Sequence, residues 1–414
     1  MASLYNDDRT FFGVKDDTWT AIAIWANICY TSILSNANKL INLWFDTRTG
    51  IDTMVFAAIF SFFVLIGTIT ALKKMQSKEF LVVILIGTAW MISFLVDEHA
   101  RTLLKMYYFK PVLIDGILGI ICISRFSDWH KFRKIGYFFV IPAMVLFLLN
   151  AFYVINGEIT EGYMTFSYNN LVIILACFWM ATYKNNIILW ALGVLGTIVI
   201  VITGCRGALI CLGIYFVCEF FLNKGEHKFV KVLILVVLVI GYFNLENIMM
   251  NLDATLSKYD YESRTVKLFF EGEIKNDSGR SRIRDAAKEV VKEHAVLGCG
   301  MAGSSYHLYY KVENIKPVGF QRKYSHHLIL DLYMDFGILG GTLFIGLLIY
   351  LLIIAYIRTK GNYGRTVLFM VASAVLPKLM LSSTYVGESL FFLLIGLLIN
   401  LSEKKVKAVE EVEG

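Results

Sequence analysis

Proline and charge are both scarce: 4 prolines in 414 residues, and only 17% Asp, Glu, Lys and Arg. That scarcity excludes a proline-rich linker, a collagen-like chain and a disordered polyelectrolyte. No CxxC pair occurs among the 7 cysteines, and nothing has zinc-ligand spacing, so neither a metal nor a cofactor is expected. Most of the cysteines lie inside apolar runs, where a thiol packs as a small hydrophobe. Cys205 and Cys299 could face one oxidising side, but isolated packing residues are the preferred reading of both. P-loop, HExxH and GxSxG patterns are absent, and no basic stretch suggests nucleic-acid binding. The N-terminus carries four Asp and no basic segment, so no cleavable signal peptide is expected.

Apolar residues are abundant. They make up 57% of the chain, and the mean hydropathy is +0.62. A soluble domain is nearer 45–50% apolar and about 25% charged. The excess calls for a second apolar solvent, the bilayer. Runs long enough to cross one as helix fall at 54–73, 79–96, 135–155, 168–183, 187–203, 206–222, 228–243, 337–357, 366–382 and 387–402. Two are weaker: 110–124 is short and holds Asp115, and 19–36 is interrupted by Asn27, Ser32 and Ser35 and could lie at the interface. The expected fold is all-α and polytopic, with about 12 transmembrane helices or 11 if the first run does not span. Every second loop is basic: Lys73, Lys74 and Lys78; Arg125, Lys131, Arg133 and Lys134; Lys184; Lys224, Lys228 and Lys231; Arg358, Lys360 and Arg365; then Lys404, Lys405 and Lys407. By the positive-inside rule these loops and the C-terminus are cytoplasmic.

The same alternation puts one long hydrophilic loop, 244–325, outside the cytoplasm. The chain then divides into N-terminal spans 1–243, the loop 244–325, and C-terminal spans with a short tail, 326–414. The loop's second half is basic, and long translocated loops are exempt from the charge rule, so this charge needs another cause. A solvated, salt-bridged helix accounts for the lysines, since Asp285 and Lys288 stand at helical spacing. It accounts less well for Arg280, Arg282 and Arg284, clustered at a helix start where they oppose the macrodipole. A bound anion would offset that cost. Gly298, Gly300 and Gly303 spell GxGxxG, but no βαβ unit surrounds them, so a loop with close backbone approach is the better reading. Asn276 heads a sequon in form only.

Three features remain that can carry chemistry. Arg206 stands in the turn Thr203-Gly-Cys-Arg206-Gly, at the mouth of two apolar runs, where an ionisable residue is a functional candidate. Ser278-Gly-Arg280 opens the amphipathic stretch 281–295. His326 and His327 precede Leu330, Asp331, Asp335 and Gly337 at the return to the membrane. A planar guanidinium recognises phosphate oxygens bidentately, and a neutral imidazole can take a hydroxyl proton.

The order of these motifs over residues 190–345 resembles the Wzy polysaccharide polymerase and O-antigen ligase family. The resemblance implies a GT-C-like, metal-independent, inverting glycosyltransferase of the bacterial inner membrane, with its large loop extracytoplasmic. The donor is an undecaprenyl-diphosphate-linked glycan and the acceptor a second glycan. A chain-length regulator and a flippase are further implied partners. Arg206, Arg280 and His326 match the family's catalytic positions. Arg284, His327, Arg322, Lys323 and Lys378 are the candidates for binding substrate. His327 stands where Asn is usual, so either histidine could be the base. Polymerase is the favoured expectation and ligase the alternative. A transporter using Asp115, Lys378 and Glu388 is the reading from another class.

Overall fold

The computed structural model describes residues 10–11, 14–45, 51–159, 162–184, 186–222, 245–259, 261, 263–271, 279–314, 322–359 and 363–403. Apart from a short antiparallel hairpin that pairs Thr10 with Lys15 and Phe11 with Val14, the described residues are helical or irregular. The helices are α1 Asp16–Phe45, α2 Ile51–Leu72, α3 Ser77–Val96, α4 Glu98–Ser124, α5 Trp129–Ile155, α6 Tyr163–Lys184, α7 Ile187–Thr203 and α8 Arg206–Val217. They are followed by α9 Leu245–Leu256, α10 Arg264–Phe270, α11 Arg280–Glu293, α12 Ser304–Glu313, α13 Leu328–Arg358, α14 Tyr363–Leu381 and α15 Ser389–Glu403.

Every apolar run picked out in the sequence falls on one of these helices except 228–243, which lies outside the described residues. Among the described residues, 6 helices are long and apolar enough to cross a membrane, and Ala58–Leu72, Ile187–Thr203 and Ser389–Glu403 are shorter apolar helices. Several of them turn bulky apolar side chains outward: Val96 is 81% exposed, Phe138 79% and Leu339 76%. Such faces would aggregate in water and are at rest in lipid. The architecture is an all-α, multi-pass membrane protein.

The two weak runs behave differently from the rest. Residues 19–36 form the middle of α1, which packs at the centre of the bundle with Ile24, Trp25 and Ala26 fully buried. Its polar residues find partners on other helices. Ser32 Oγ donates to Asn170 Oδ1 at 2.6 Å, Asn36 Nδ2 to the same oxygen at 2.7 Å, and Asn150 Nδ2 to Asn36 Oδ1 at 2.8 Å. Run 110–124 is the second half of the longer α4. Pro111 has no N–H to return to the preceding turn, and residues 104–116 wind as a π-helix. Asp115 pairs with Lys110 at 2.5 Å, so that charge is matched within the helix.

Among the described residues, the basic turns after α2 and α4 meet at one end of the bundle. Lys73 and Lys74 pair with Asp16 and Asp17 at the start of α1. Arg125 pairs with Glu79 and Glu403, and Lys78 with Glu403, at the end of α15. The turns 204–205 and 382–388, and the start of α13, are at the opposite ends of their helices.

At that opposite end α13 is broken. Gly337 has φ 69° and ψ 178°, so the helix cannot close its hydrogen bonds there. The loop after α11 supplies replacements. Cys299 N donates to Met334 O at 2.8 Å, Gly300 N to Asp335 O at 2.9 Å, and Ile338 N to Ala295 O at 2.8 Å. This is the close backbone approach that the glycine pattern suggested. A Cβ on Gly298 would stand 2.4 Å from Asp335 O, and one on Gly337 2.3 Å from Val296 O. Gly337→Ala is therefore expected to cut the folded yield and thermal midpoint sharply. Gly346→Ala, on the same helix in open space, should leave them unchanged or raised by about 0.5–1 kcal/mol of stability. Size-exclusion profiles and melts in detergent compare the two, and equal midpoints for both variants would contradict the docking.

Candidate functional site

Two buried acids of α13 build the frame. Asp335 accepts from Ser304 Oγ at 2.6 Å, Tyr385 OH at 2.7 Å and Ala302 N at 3.2 Å. It thereby ties the glycine loop and the 382–388 turn to one helix. One turn earlier, Asp331 Oδ1 accepts from Ser325 N at 3.0 Å and lies 2.6 Å from Ser325 Oγ. Ser325 Oγ also accepts from His327 N at 3.1 Å. This bonding folds the chain tightly just before α13, and His326 is left with φ 57°. That is the left-handed region, which non-glycine residues enter rarely, though His more readily than most.

The His326 ring lies against Tyr324, with centroids 4.4 Å apart. Burial, the Arg280 guanidinium and the nearby Lys323 and Arg284 push its pKa down to about 4, partly opposed by a bond to the Ser382 backbone. His326 is thus a neutral imidazole amid three cations. Its Nδ1 is buried and has no hydrogen-bond partner among the described residues. His327 is also shifted down, by burial and by Arg284.

Arg280 opens α11 after Gly279, which caps the helix at φ 79°. Its Nη2 lies 3.8 Å from Met164 Sδ. Burial raises the Cys205 thiol, and the Arg280 charge offsets part of that rise. Cys205 is the residue before Arg206, so the first two arginine motifs meet at this point. The Arg206 turn is held from the other side too. Tyr168 OH donates to Ser382 Oγ at 2.9 Å and would stand 1.9 Å from a Cβ on Gly207. The structure therefore gathers Arg280, Arg284 and Lys323 near the two histidines, and Ser382 ties His326 to the turn of Arg206.

Arg322 and Lys378 sit at the margin, and Lys323, though near His326, has an acidic partner. Arg322 lies over the Tyr107 ring at 4.4 Å, and Lys323 pairs with Glu313 at 2.8 Å. Lys378 pairs with Glu388, both largely buried, and lies 5.4 Å from the Tyr168 ring centroid. Arg282 leaves the cluster altogether, donating through Nη2 to Val312 O at 2.6 Å. The lysines behave as a salt-bridged face: Lys288 pairs with Asp285 at 2.8 Å, and Lys311 with Glu293 at 2.5 Å. All 7 cysteines are free, Cys205 and Cys299 included.

Sequence reasoning missed Tyr168, Ser382 and Tyr385, which position the motifs without belonging to any of them. It also gave Asp331 and Asp335 no role, although both stand in the histidine motif. His294, Cys299 and His307 are a further group it did not connect. One ligand-type atom from each lies within 4.8 Å of the others.

Fold and site together define a helical multi-pass membrane protein with a cationic, histidine-bearing site at one end of its bundle. Residues 191–345 match the family model described as O-antigen ligase. Members of that family are glycosyltransferase-like ligases and polymerases. No curated protein and no solved structure matches the chain.

Two outcomes are expected from this geometry. Gly207→Ala should displace Tyr168 and lower the thermal midpoint, and adding Tyr168→Phe should restore part of the loss. A double-mutant cycle on melts measures the coupling, and strictly additive effects would contradict the contact. The second concerns acid. His326 binds a proton less readily folded, at about 4, than its ordinary 6.5. Its protonation therefore erodes stability as pH falls from about 6.5 toward 4. Midpoints followed over that range should fall less steeply for His326→Asn than for the wild type.

Proposed function

We propose that this chain is a glycosyltransferase that polymerises lipid-linked oligosaccharide repeat units. The donor is a glycan on undecaprenyl diphosphate. The bundle is of the GT-C kind, lies in the bacterial inner membrane, and holds its site on the extracytoplasmic side. The observation that carries the reading is the gathering of Arg280, Arg284, Lys323 and the Arg206 turn around a neutral His326. The meeting of the basic turns after α2 and α4 at the other end supports the sidedness.

The chemistry follows from charge. A lipid diphosphate brings two phosphates to the membrane surface while its tail stays in the bilayer. Arg206 and Arg280 bind those phosphates and stabilise the charge that grows as the diphosphate leaves. The same anion offsets the cations that hold His326 low, and so raises the imidazole toward a useful base. His326 Nδ1, buried and unpartnered among the described residues, then accepts the proton of the acceptor hydroxyl. The hydroxyl oxygen attacks the anomeric carbon from the face opposite the diphosphate, so the new bond is inverted. Arg284 and His327 border the acceptor, and Lys378 acts through Tyr168.

In-vitro chain extension by purified protein tests the assignment. His326→Asn keeps a residue that tolerates the left-handed turn while removing the base, and should slow extension about 10²–10⁴-fold. Arg280→Ala should lose extension as severely. Unchanged product ladders from both variants would refute these roles. The family description favours one second reading, a ligase that delivers finished glycan to a lipid A-core or another acceptor. In a deletion strain, loss of ladder spacing marks a polymerase, whereas accumulation of lipid-linked polymer without capped lipid marks a ligase.

A further inference from the structure

Away from His326, three potential metal ligands meet where the glycine loop turns back on itself. His294 caps the end of α11, Cys299 lies between Gly298 and Gly300, and His307 lies on α12. The two imidazole centroids are 4.4 Å apart, and one ligand atom from each of the three residues falls within 4.8 Å of the others. We propose that His294, Cys299 and His307 bind a borderline-soft divalent cation, Zn²⁺ before any other, which clasps the glycine loop between the ends of α11 and α12.

The donor set selects the ion. One thiolate and two imidazoles suit Zn²⁺ and its transition-metal neighbours, whereas Mg²⁺ and Ca²⁺ require oxygen. Bonds of about 2.0–2.3 Å in a tetrahedron put ligand atoms roughly 3.5 Å apart. A trio already inside 4.8 Å closes by about 1 Å, within the reach of small side-chain rotations. The three residues come from a helix end, a loop and a second helix, so no helical repeat explains their meeting.

The frame around them is rigid. Gly298 and Gly300 hold φ of 71° and 79°, and Cys299 N is fixed to Met334 O at 2.8 Å. Asp97 is near the trio but not one of its three ligand-type residues, so a water completes the tetrahedron. Its Oδ1 caps α4 through His99 N at 2.8 Å and Ala100 N at 3.2 Å, and its Oδ2 stands 2.9 Å from where a Gly303 Cβ would lie. The Asp97 charge reaches both Cys299 and His307. An ion held here would join the end of α11, the glycine loop and α12, and would brace the loop that completes the broken α13. It touches none of Arg206, Arg280 or His326, so the role is structural and does not rest on the transferase reading.

Full-length protein purified in detergent without a polyhistidine tag should carry about one zinc per chain by mass spectrometry. Cys299→Ser and His307→Gln should each retain at least about tenfold less. Stripped wild-type protein titrated with Co²⁺ alone should develop a thiolate-to-cobalt charge-transfer band that Cys299→Ser lacks. Chelator should lower the thermal midpoint of the wild type and leave that of Cys299→Ser unmoved. Wild-type protein that takes up neither Zn²⁺ nor Co²⁺, or variants that take up as much as the wild type, would overturn the proposal. The wild-type titration decides the matter even if a variant fails to fold.

Discussion

A helix broken inside packed protein leaves buried carbonyls and amides without partners, and each left unpaired costs about 1–3 kcal/mol. The interruption of α13 at Gly337 creates that debt, and the loop after α11 settles it through Cys299, Gly300 and Ala295. The rest of the active end depends on this exchange. Once the loop is docked, Ala302 and Ser304 reach Asp335, Asp335 holds Tyr385, and the 382–388 turn comes to rest beside His326. A hydrogen-bond deficit in one helix thus assembles side chains from three distant stretches.

The second constraint is electrostatic. Arg280 and Arg284 converge on one imidazole, with Lys323, itself paired with Glu313, beside them. Like charges in a half-buried place repel, and such a cluster is tolerated when something negative visits it. The nearby acids are already committed: Asp331 to Ser325, Asp335 to Tyr385, Glu388 to Lys378 and Glu313 to Lys323. The positive character of the site is therefore built in.

The long apolar helices were legible because runs such as 135–155 and 337–357 announce themselves by composition, and 6 described helices are long and apolar enough to cross a membrane. The centre of α1 was not, since Ser32 and Asn36 look unfit for lipid until Asn150 and Asn170 arrive from helices more than a hundred residues away, and Asn27 until the Asp115 carbonyl does. At the site, Arg280 and His326 could be named from local motifs. The structural use of Arg282, which bonds the end of α12, could not, because its partner is a backbone carbonyl that leaves no trace in composition. His294, Cys299 and His307 escaped notice for a similar reason. Their separations match no short ligand motif, and only the turn at the glycines brings them together.

The left-handed backbone at His326 constrains the amino-acid alphabet there independently of proton chemistry. A β-branched replacement would unmake the turn before any effect on transfer could be read, and alanine would mix steric strain with the loss of the imidazole. Asparagine and glycine keep the geometry and discard the base. Variation observed at this position across related chains would therefore record two selections at once, one on shape and one on reactivity.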